Sequence, residues 1–287
     1  MVDLAFSILS SSLIFVIFKL YSIYRVHTLY AIVFNYITAA TVGVFFFKGT
    51  PDFAAVPSTP WFPVALGLGL MFIIVFNLMA TTSQKLGVSV ASVATKMSLA
   101  IPVMAGVILY KEELGPLKIL GIILALAAVY FASVKKKKIT VQKDSLLWPM
   151  LVFLGSGIID TTIKYLEERL VTTEEFPLFT TSLFAAAGSV GLIILAIHAL
   201  QGRLELSWRA VAGGIVLGVP NYFSIFFLLR ALQSETLNSA SIFTINNVAI
   251  VMFSTLLGIV LFKEKISPRN WGGIALAVVS ILLVALF

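Results

Sequence analysis

Residues 108–127 read ILYKEELGPLKILGIILALA, and residues 260–279 read VLFKEKISPRNWGGIALAVV. Aligned without a gap, Lys111 falls on Lys263, Glu112 on Glu264, Pro116 on Pro268 and Gly121 on Gly273. The offset, 264 − 112 = 152, is a little over half of the 287 residues. Upstream, SSLIFVIFKLYSIYRV from Ser11 matches SGIIDTTIKYLEERLV from Ser156, which sets Lys19 on Lys164 and Val26 on Val171 at an offset of 145. The difference, 152 − 145 = 7, asks for one insertion of seven residues, most simply in a loop. A repeat of this length in an apolar chain points to two bundles built on one plan and packed face to face, an arrangement common among transporters.

Sixty per cent of the residues are hydrophobic and 11% are charged, with a mean hydropathy of +1.05. A soluble domain carries about a quarter charged residues, so this chain uses lipid as its solvent. A hydrocarbon core about 30 Å thick takes about 20 apolar residues at 1.5 Å each. Charge-poor stretches of that length fall near 3–24, 28–47, 61–82, 88–110, 117–134, 145–166, 176–200, 208–229, 237–262 and 269–286. They far exceed the ~10 residues of a membrane strand and lack its alternation. The expected fold is therefore all-α and polytopic, with ten transmembrane helices as two inverted five-helix repeats. Residues 1–134 make the first repeat, 135–144 a basic linker and 145–287 the second.

Proline and glycine punctuate these spans. Pro57, Pro60 and Pro63 precede the third, Gly115-Pro116 the fifth and Ser267-Pro268 the tenth. A proline in the first turn loses no helical hydrogen bond, so these are start signals. Pro102 and Pro220 instead fall within apolar runs, as a packing kink or a hinge. Trp61, Trp148, Trp208 and Trp271 each lie near the start of a span, where an interfacial aromatic belt is expected. The N-terminal run lacks a basic region and a small-x-small cleavage site, and the repeat includes it, so it reads as a retained first helix. With no cysteine, thiolate chemistry and disulfides are excluded, and His27 and His198 have no partners at metal spacing. The net charge of +7 is that of juxtamembrane Lys and Arg, with no motif for nucleic acid. With a cytoplasmic N-terminus the outer loops would hold twelve Lys and Arg and the inner loops five, so loop charge places both termini outside.

The helix count, the two halves and the Glu-then-Pro-then-Gly endings resemble the drug/metabolite transporter superfamily, EamA-like branch. The residues that carry the likeness are Glu112, Pro116 and Gly121 in the first half and Glu264, Pro268 and Gly273 in the second. Pro102 is similar to the family pattern too, while its counterpart by offset is Ser254, where the second half departs. The resemblance spans essentially the whole chain and implies a metabolite transporter, with no substrate specified. It also implies cytoplasmic termini, against the loop charges. The expected location is the plasma (inner) membrane of a bacterium.

Lys19, Lys96, Asp160 and Lys164 are ionisable groups inside or near the ends of spans. A charge at mid-bilayer costs at least about 2.5–3.5 kcal/mol, so each needs a partner, a wet cavity or an escape route. Lys96 is eight residues into the fourth span, about 12 Å along its axis, too deep for a terminal charge. Asp160 and Lys164 stand i,i+4 in the order that favours an ion pair, which holds two helices in register or faces a cavity. Lys19 and Lys164 are repeat-equivalent and can snorkel to headgroups. If these groups converge, three lysines outnumber one aspartate, and the site favours an anion such as an organic acid, an amino-acid carboxylate or a phosphorylated metabolite. Asn35, Asn77 with Thr81 and Thr82, Asn221, Thr244, Asn246 and Asn247 could complete it, or could serve as helix glue at about 0.6 kcal/mol each. Adjacent amides at Asn246 and Asn247 point about 100° apart, so one can face a cavity while the other bonds a neighbour.

These observations favour a carrier working by alternating access. A channel or receptor without a transport cycle has no need of inverted halves. An intramembrane enzyme would need converging carboxylates, a His pair or a Ser–His relay, none of which the sequence offers. No cofactor is expected. The expected partners are a small-molecule substrate and the lipid bilayer, with no nucleic acid; a monomer suffices for the fold and a homo-oligomer is compatible with it.

Overall fold

The computed structural model describes residues 2–46, 54–110, 115–133, 136–137, 140–141, 144–172, 175–232 and 239–286. In chain order the helices are α1 (Val2–Ile23), α2 (Thr28–Phe46), α3 (Phe62–Lys85), α4 (Val88–Met97), α5 (Ala100–Tyr110) and α6 (Pro116–Ser133). After the linker come α7 (Asp144–Arg169), α8 (Phe176–Leu200), α9 (Trp208–Leu232), α10 (Ser239–Phe262) and α11 (Pro268–Leu286). The linker carries a two-rung antiparallel ladder, Lys136–Lys137 against Thr140–Val141. Among the described residues eight apolar stretches are long enough to cross a bilayer, and α6 and α11 add two shorter apolar helices. The protein is an all-helical polytopic membrane protein of about ten spans. Pro116 and Pro268 open α6 and α11 at the position where the missing N–H costs nothing.

The fourth span is two helices. Its break, at Ser98–Leu99, lies four residues before Pro102. A proline ring collides with the carbonyl of residue i−4, which here is Ser98, and removes the hydrogen bond to it. Ile101 N–H instead donates to Ser98 O at 2.9 Å in a tighter turn. The equivalent helix α10 has Ser254 in place of the proline and runs unbroken.

The chain forms two compact units, each drawing on both halves of the sequence. Unit 1 comprises Met1–Leu20, Leu78–Thr161 and Phe223–Phe287; unit 2 comprises Tyr21–Asn77 and Thr162–Tyr222.

In unit 1, α6 and α11 pack antiparallel through glycines. A Cβ at Gly121 would stand 2.7 Å from Val284, and one at Gly273 would collide with Ala132. Under the 152-residue offset Gly121 is Gly273 and Ala132 is residue 284, so the two contacts exchange. An exchange of this kind is the mark of a two-fold axis between equivalent elements. Ser280 Oγ donates to Gly121 O at 2.7 Å, and Asn270 Nδ2 caps α6 through Ala132 O at 2.6 Å.

Unit 2 repeats the pattern with other residues. A Cβ at Gly43 would stand 2.9 Å from Thr181 of α8, and one at Gly191 would stand 2.7 Å from Val33 of α2. Here 181 − 33 and 191 − 43 both equal 148, so Gly43 and Gly191 are equivalent. A Cβ at Gly69 would meet Ala187 N at 2.7 Å, and one at Gly218 would meet Thr38 at 2.6 Å. These are again mates, at 218 − 69 = 149. The offset thus grows from 145 through 148 and 149 to 152, which corrects the expectation of one insertion: the seven residues enter at more than one place.

Trp61 is a second correction. It is fully buried, edge-on to Phe179 at 5.3 Å in unit 2, so it belongs to the core there. Trp208 and Trp271 are exposed, as a belt requires. Trp148 is half-buried, with the Lys85 ammonium 4.6 Å above its ring.

Candidate functional site

Helix α4 is buried on every side from Val88 to Ala94 and again at Met97, and it packs on α6 and α10 within unit 1. A helix enclosed in this way is central, which makes a charge on it conspicuous. Lys96 lies in its last turn, half-buried. No hydrogen bond or ion pair of its ammonium is found among the described residues. The charge acting on it is Asp160, which couples to it through space.

Asp160 belongs to α7 and accepts a hydrogen bond from Ser98 Oγ at 3.0 Å. Ser98 is the residue at which Pro102 breaks the fourth span, and its hydroxyl stands between two acceptors, the Asp160 carboxylate and Thr95 O of its own helix. Along α7 the exposed apolar residues Leu147, Leu151, Leu154 and Ile158 form one stripe. At 100° per residue, Asp160 lies about 180° from Leu151 and about 200° from Ile158. Asp160 is itself exposed, and its open surface therefore lies on the side of α7 opposite that apolar stripe. The Lys96 ammonium, with no hydrogen bond found among the described residues, and the Asp160 carboxylate, with acceptor sites to spare, both belong to unit 1. Together they can hold an anionic group at Lys96 and a cationic or hydrogen-bonding group at Asp160.

The other residues singled out from the sequence divide between the units. In unit 1, Asn246 is buried and its Oδ1 accepts from Ser7 Oγ of α1 at 3.2 Å; the same hydroxyl reaches Ser224 O of α9 at 2.8 Å. Asn247, its neighbour, is half-buried with no hydrogen bond found among the described residues. Lys19 donates to Gln84 O at 2.8 Å, near the C-terminal end of α3, where a cation also complements the helix dipole. In unit 2, Asn221 Nδ2 donates to Asn35 Oδ1 at 3.1 Å, both residues being buried. Asn35 Nδ2 is enclosed there with no hydrogen-bond partner among the described residues. Asn77 folds back on Ile73 O of its own helix at 2.8 Å. Lys164 is half-buried, one turn beyond Asp160 on α7 and in the second unit. Of the repeat motif, Glu112 lies outside the described residues. Pro116, Gly121, Pro268 and Gly273 build the α6–α11 pair described above, and Glu264 sits in the turn after α10.

Reading the sequence missed Ser98 and Ser7. For Ser98 a signal existed, because a proline four residues downstream frees the carbonyl at that position. For Ser7 there was none: a serine in an apolar helix looks the same whether it faces its own backbone or a distant amide.

The EamA-like transporter family matches residues 144–286, the second half of the chain. An uncharacterized protein of Haemophilus influenzae (strain ATCC 51907 / DSM 11121 / KW20 / Rd) is 31% identical over 280 residues, covering 95% of this chain and 93% of its own. A protein of known crystal structure shares the fold over 99% of this chain and 96% of its own, with a TM-score of 0.62 at 17% identity. The first half is joined to the second by the repeat and by the glycine contacts that exchange between them. The chain belongs to the EamA-like transporter family of the drug/metabolite transporter superfamily, a family of membrane transporters.

Proposed function

We propose that this transporter carries a small anionic or carboxylate-bearing zwitterionic metabolite across the plasma membrane of a bacterium by alternating access, with Lys96 as the partner of the substrate's negative group. The observation that carries the reading is the ammonium of Lys96, without a hydrogen-bond partner among the described residues, on a helix otherwise buried all round. A charge in that position is destabilising in the empty protein and becomes favourable when a counter-charge arrives. Asp160, coupled to it and oriented by Ser98, balances the site so that it does not hold every anion irreversibly. Asn247 supplies an uncharged donor and acceptor on a neighbouring helix of unit 1. The two-fold exchange of glycine contacts supports the cycle, since inverted repeats give a carrier two equivalent ways to open.

Saturable counterflow tests the carrier. Purified protein in liposomes loaded with an unlabelled carboxylate metabolite should accumulate the labelled form transiently, with a rate that saturates in concentration. Flux that rises linearly without limit, and no counterflow for any substrate that crosses, would make it a channel.

A further inference from the structure

Helix α4 has only ten residues, too few to hold itself together. Its position depends on its ends. At the C-terminal end Ser98 is tied to Asp160. At the N-terminal end the preceding residue, Gly87, offers no side chain to cap the helix. The cap comes from the other half of the chain. Glu264 Oε1 accepts the N–H of Val88 at 2.8 Å, and Oε2 stands 3.4 Å from Ser89 Oγ. A carboxylate there also meets the positive end of the helix dipole.

The fit is built from three further features. Lys263 takes a left-handed conformation, φ 52°, at the end of α10, and Glu264 N–H folds back onto Gly258 O at 3.2 Å. A Cβ at Gly258 would stand 2.7 Å from Glu264 Oε2, so only glycine leaves room for the carboxylate. Gly87 has φ +122°, and a Cβ on it would stand 2.9 Å from both carboxylate oxygens. All of these residues lie in unit 1. The first half carries the same spacing, Gly106 to Glu112 against Gly258 to Glu264.

We propose that Glu264 is the positioning residue of the Lys96 helix: by pinning the N-terminus of α4 from the α10–α11 turn, it sets where Lys96 and Ser98 stand. Its importance for transport rests on the reading of Lys96 as the substrate's partner, but its action on the helix does not. The test therefore reads the helix directly. Full-length protein in lipid nanodiscs is probed by amide hydrogen exchange over α4 and by the rate at which sulfo-N-hydroxysuccinimide acetate acetylates Lys96, followed by mass spectrometry. Glu264→Ala removes the cap. Gly258→Ala keeps the carboxylate but crowds it from its seat, so the test survives if the first variant does not fold. Glu264→Gln retains an acceptor oxygen. Both disrupting variants are expected to speed exchange at residues 92–97 and acetylation of Lys96 by about tenfold, in line with loss of a cap, and Glu264→Gln to recover most of the protection. The proposal is overturned if faster exchange stops at residues 88–91 with Lys96 acetylation unchanged, or if folded Glu264→Ala and Gly258→Ala both behave as the wild type does. Such a result leaves the anion site standing, because loss of substrate binding in Lys96→Gln is measured separately.

Discussion

Lys96 and His27 are both ionisable, yet sequence and structure treat them differently. Depth along an apolar run was enough to mark Lys96, since burial of a charge carries a cost that needs a compensating role. What the run could not reveal was which acid would face it. Spacing on α7 favoured Lys164 as the neighbour of Asp160, whereas the partners described for Asp160 are Ser98 and Lys96. Contacts between helices distant in sequence are set by packing, and i,i+4 spacing is blind to them. His27 meets its surroundings at the turn between α1 and α2, stacked on Tyr30 at 3.8 Å, with the Tyr30 hydroxyl 3.1 Å from His198 Nδ1. Burial there holds the pKa of His27 below its ordinary 6.5; Glu205 pulls it upward and His198 pushes it down again. The folded state thus binds this proton less readily than the unfolded chain. The stability it contributes is present above about pH 6.5 and is lost as pH falls through that value toward the lower folded pKa. Scanning fluorimetry from pH 7 to pH 5 should show Tm falling in the wild type and a shallower fall in His27→Gln.

At the scale of the element, ten spans were readable because about 20 apolar residues are needed to cross lipid. The break in the fourth was half-readable. Pro102 announced a disturbance, but whether it would bend the helix or divide it depended on the freed Ser98 carbonyl finding another donor, which is the N–H of Ile101. Pro102→Ala restores the missing N–H and is expected to join α4 to α5 as α10 is joined. Tm should rise, since an interior proline costs up to ~3 kcal/mol, while transport falls because Ser98 turns away from Asp160. Thermal unfolding and counterflow on the same sample check both signs. Glycines give a second contrast that composition could not. A Cβ on Gly67 meets nothing within 4 Å, whereas one on Gly69, half a turn away, meets Ala187 N at 2.7 Å. Gly69→Ala should destabilise by about 1–3 kcal/mol through overpacking. Gly67→Ala should be neutral or slightly stabilising, and denaturant unfolding of the two variants side by side measures the difference.

Across the whole molecule the repeat was the most legible feature, since Lys-Glu, Pro and Gly recur at fixed spacing in halves that must pack alike. The three glycine pairs show what the recurrence builds: Gly121 and Gly273, Gly43 and Gly191, Gly69 and Gly218 each pack on neighbours that are themselves repeat-equivalent. Of these only the first pair was found by alignment, because the offset drifts and the intervening residues were free to diverge. The departures from symmetry are equally informative. Lys96 falls on Val248, Ser98 on Ile250 and Pro102 on Ser254, so the charged, broken helix exists in one copy only. A symmetric frame with one asymmetric site would suit the proposed carrier, the frame opening both ways and the site choosing its cargo. The most direct test of that claim is a thermal-shift screen of wild type and Lys96→Gln against anionic, zwitterionic, neutral and cationic metabolites, since ligands of the native state raise Tm. The compounds that stabilise the wild type should carry a carboxylate or phosphate, and Lys96→Gln should bind them more weakly by about 1–3 kcal/mol. Stabilisation by cations, or by anions equally in both proteins, would contradict it.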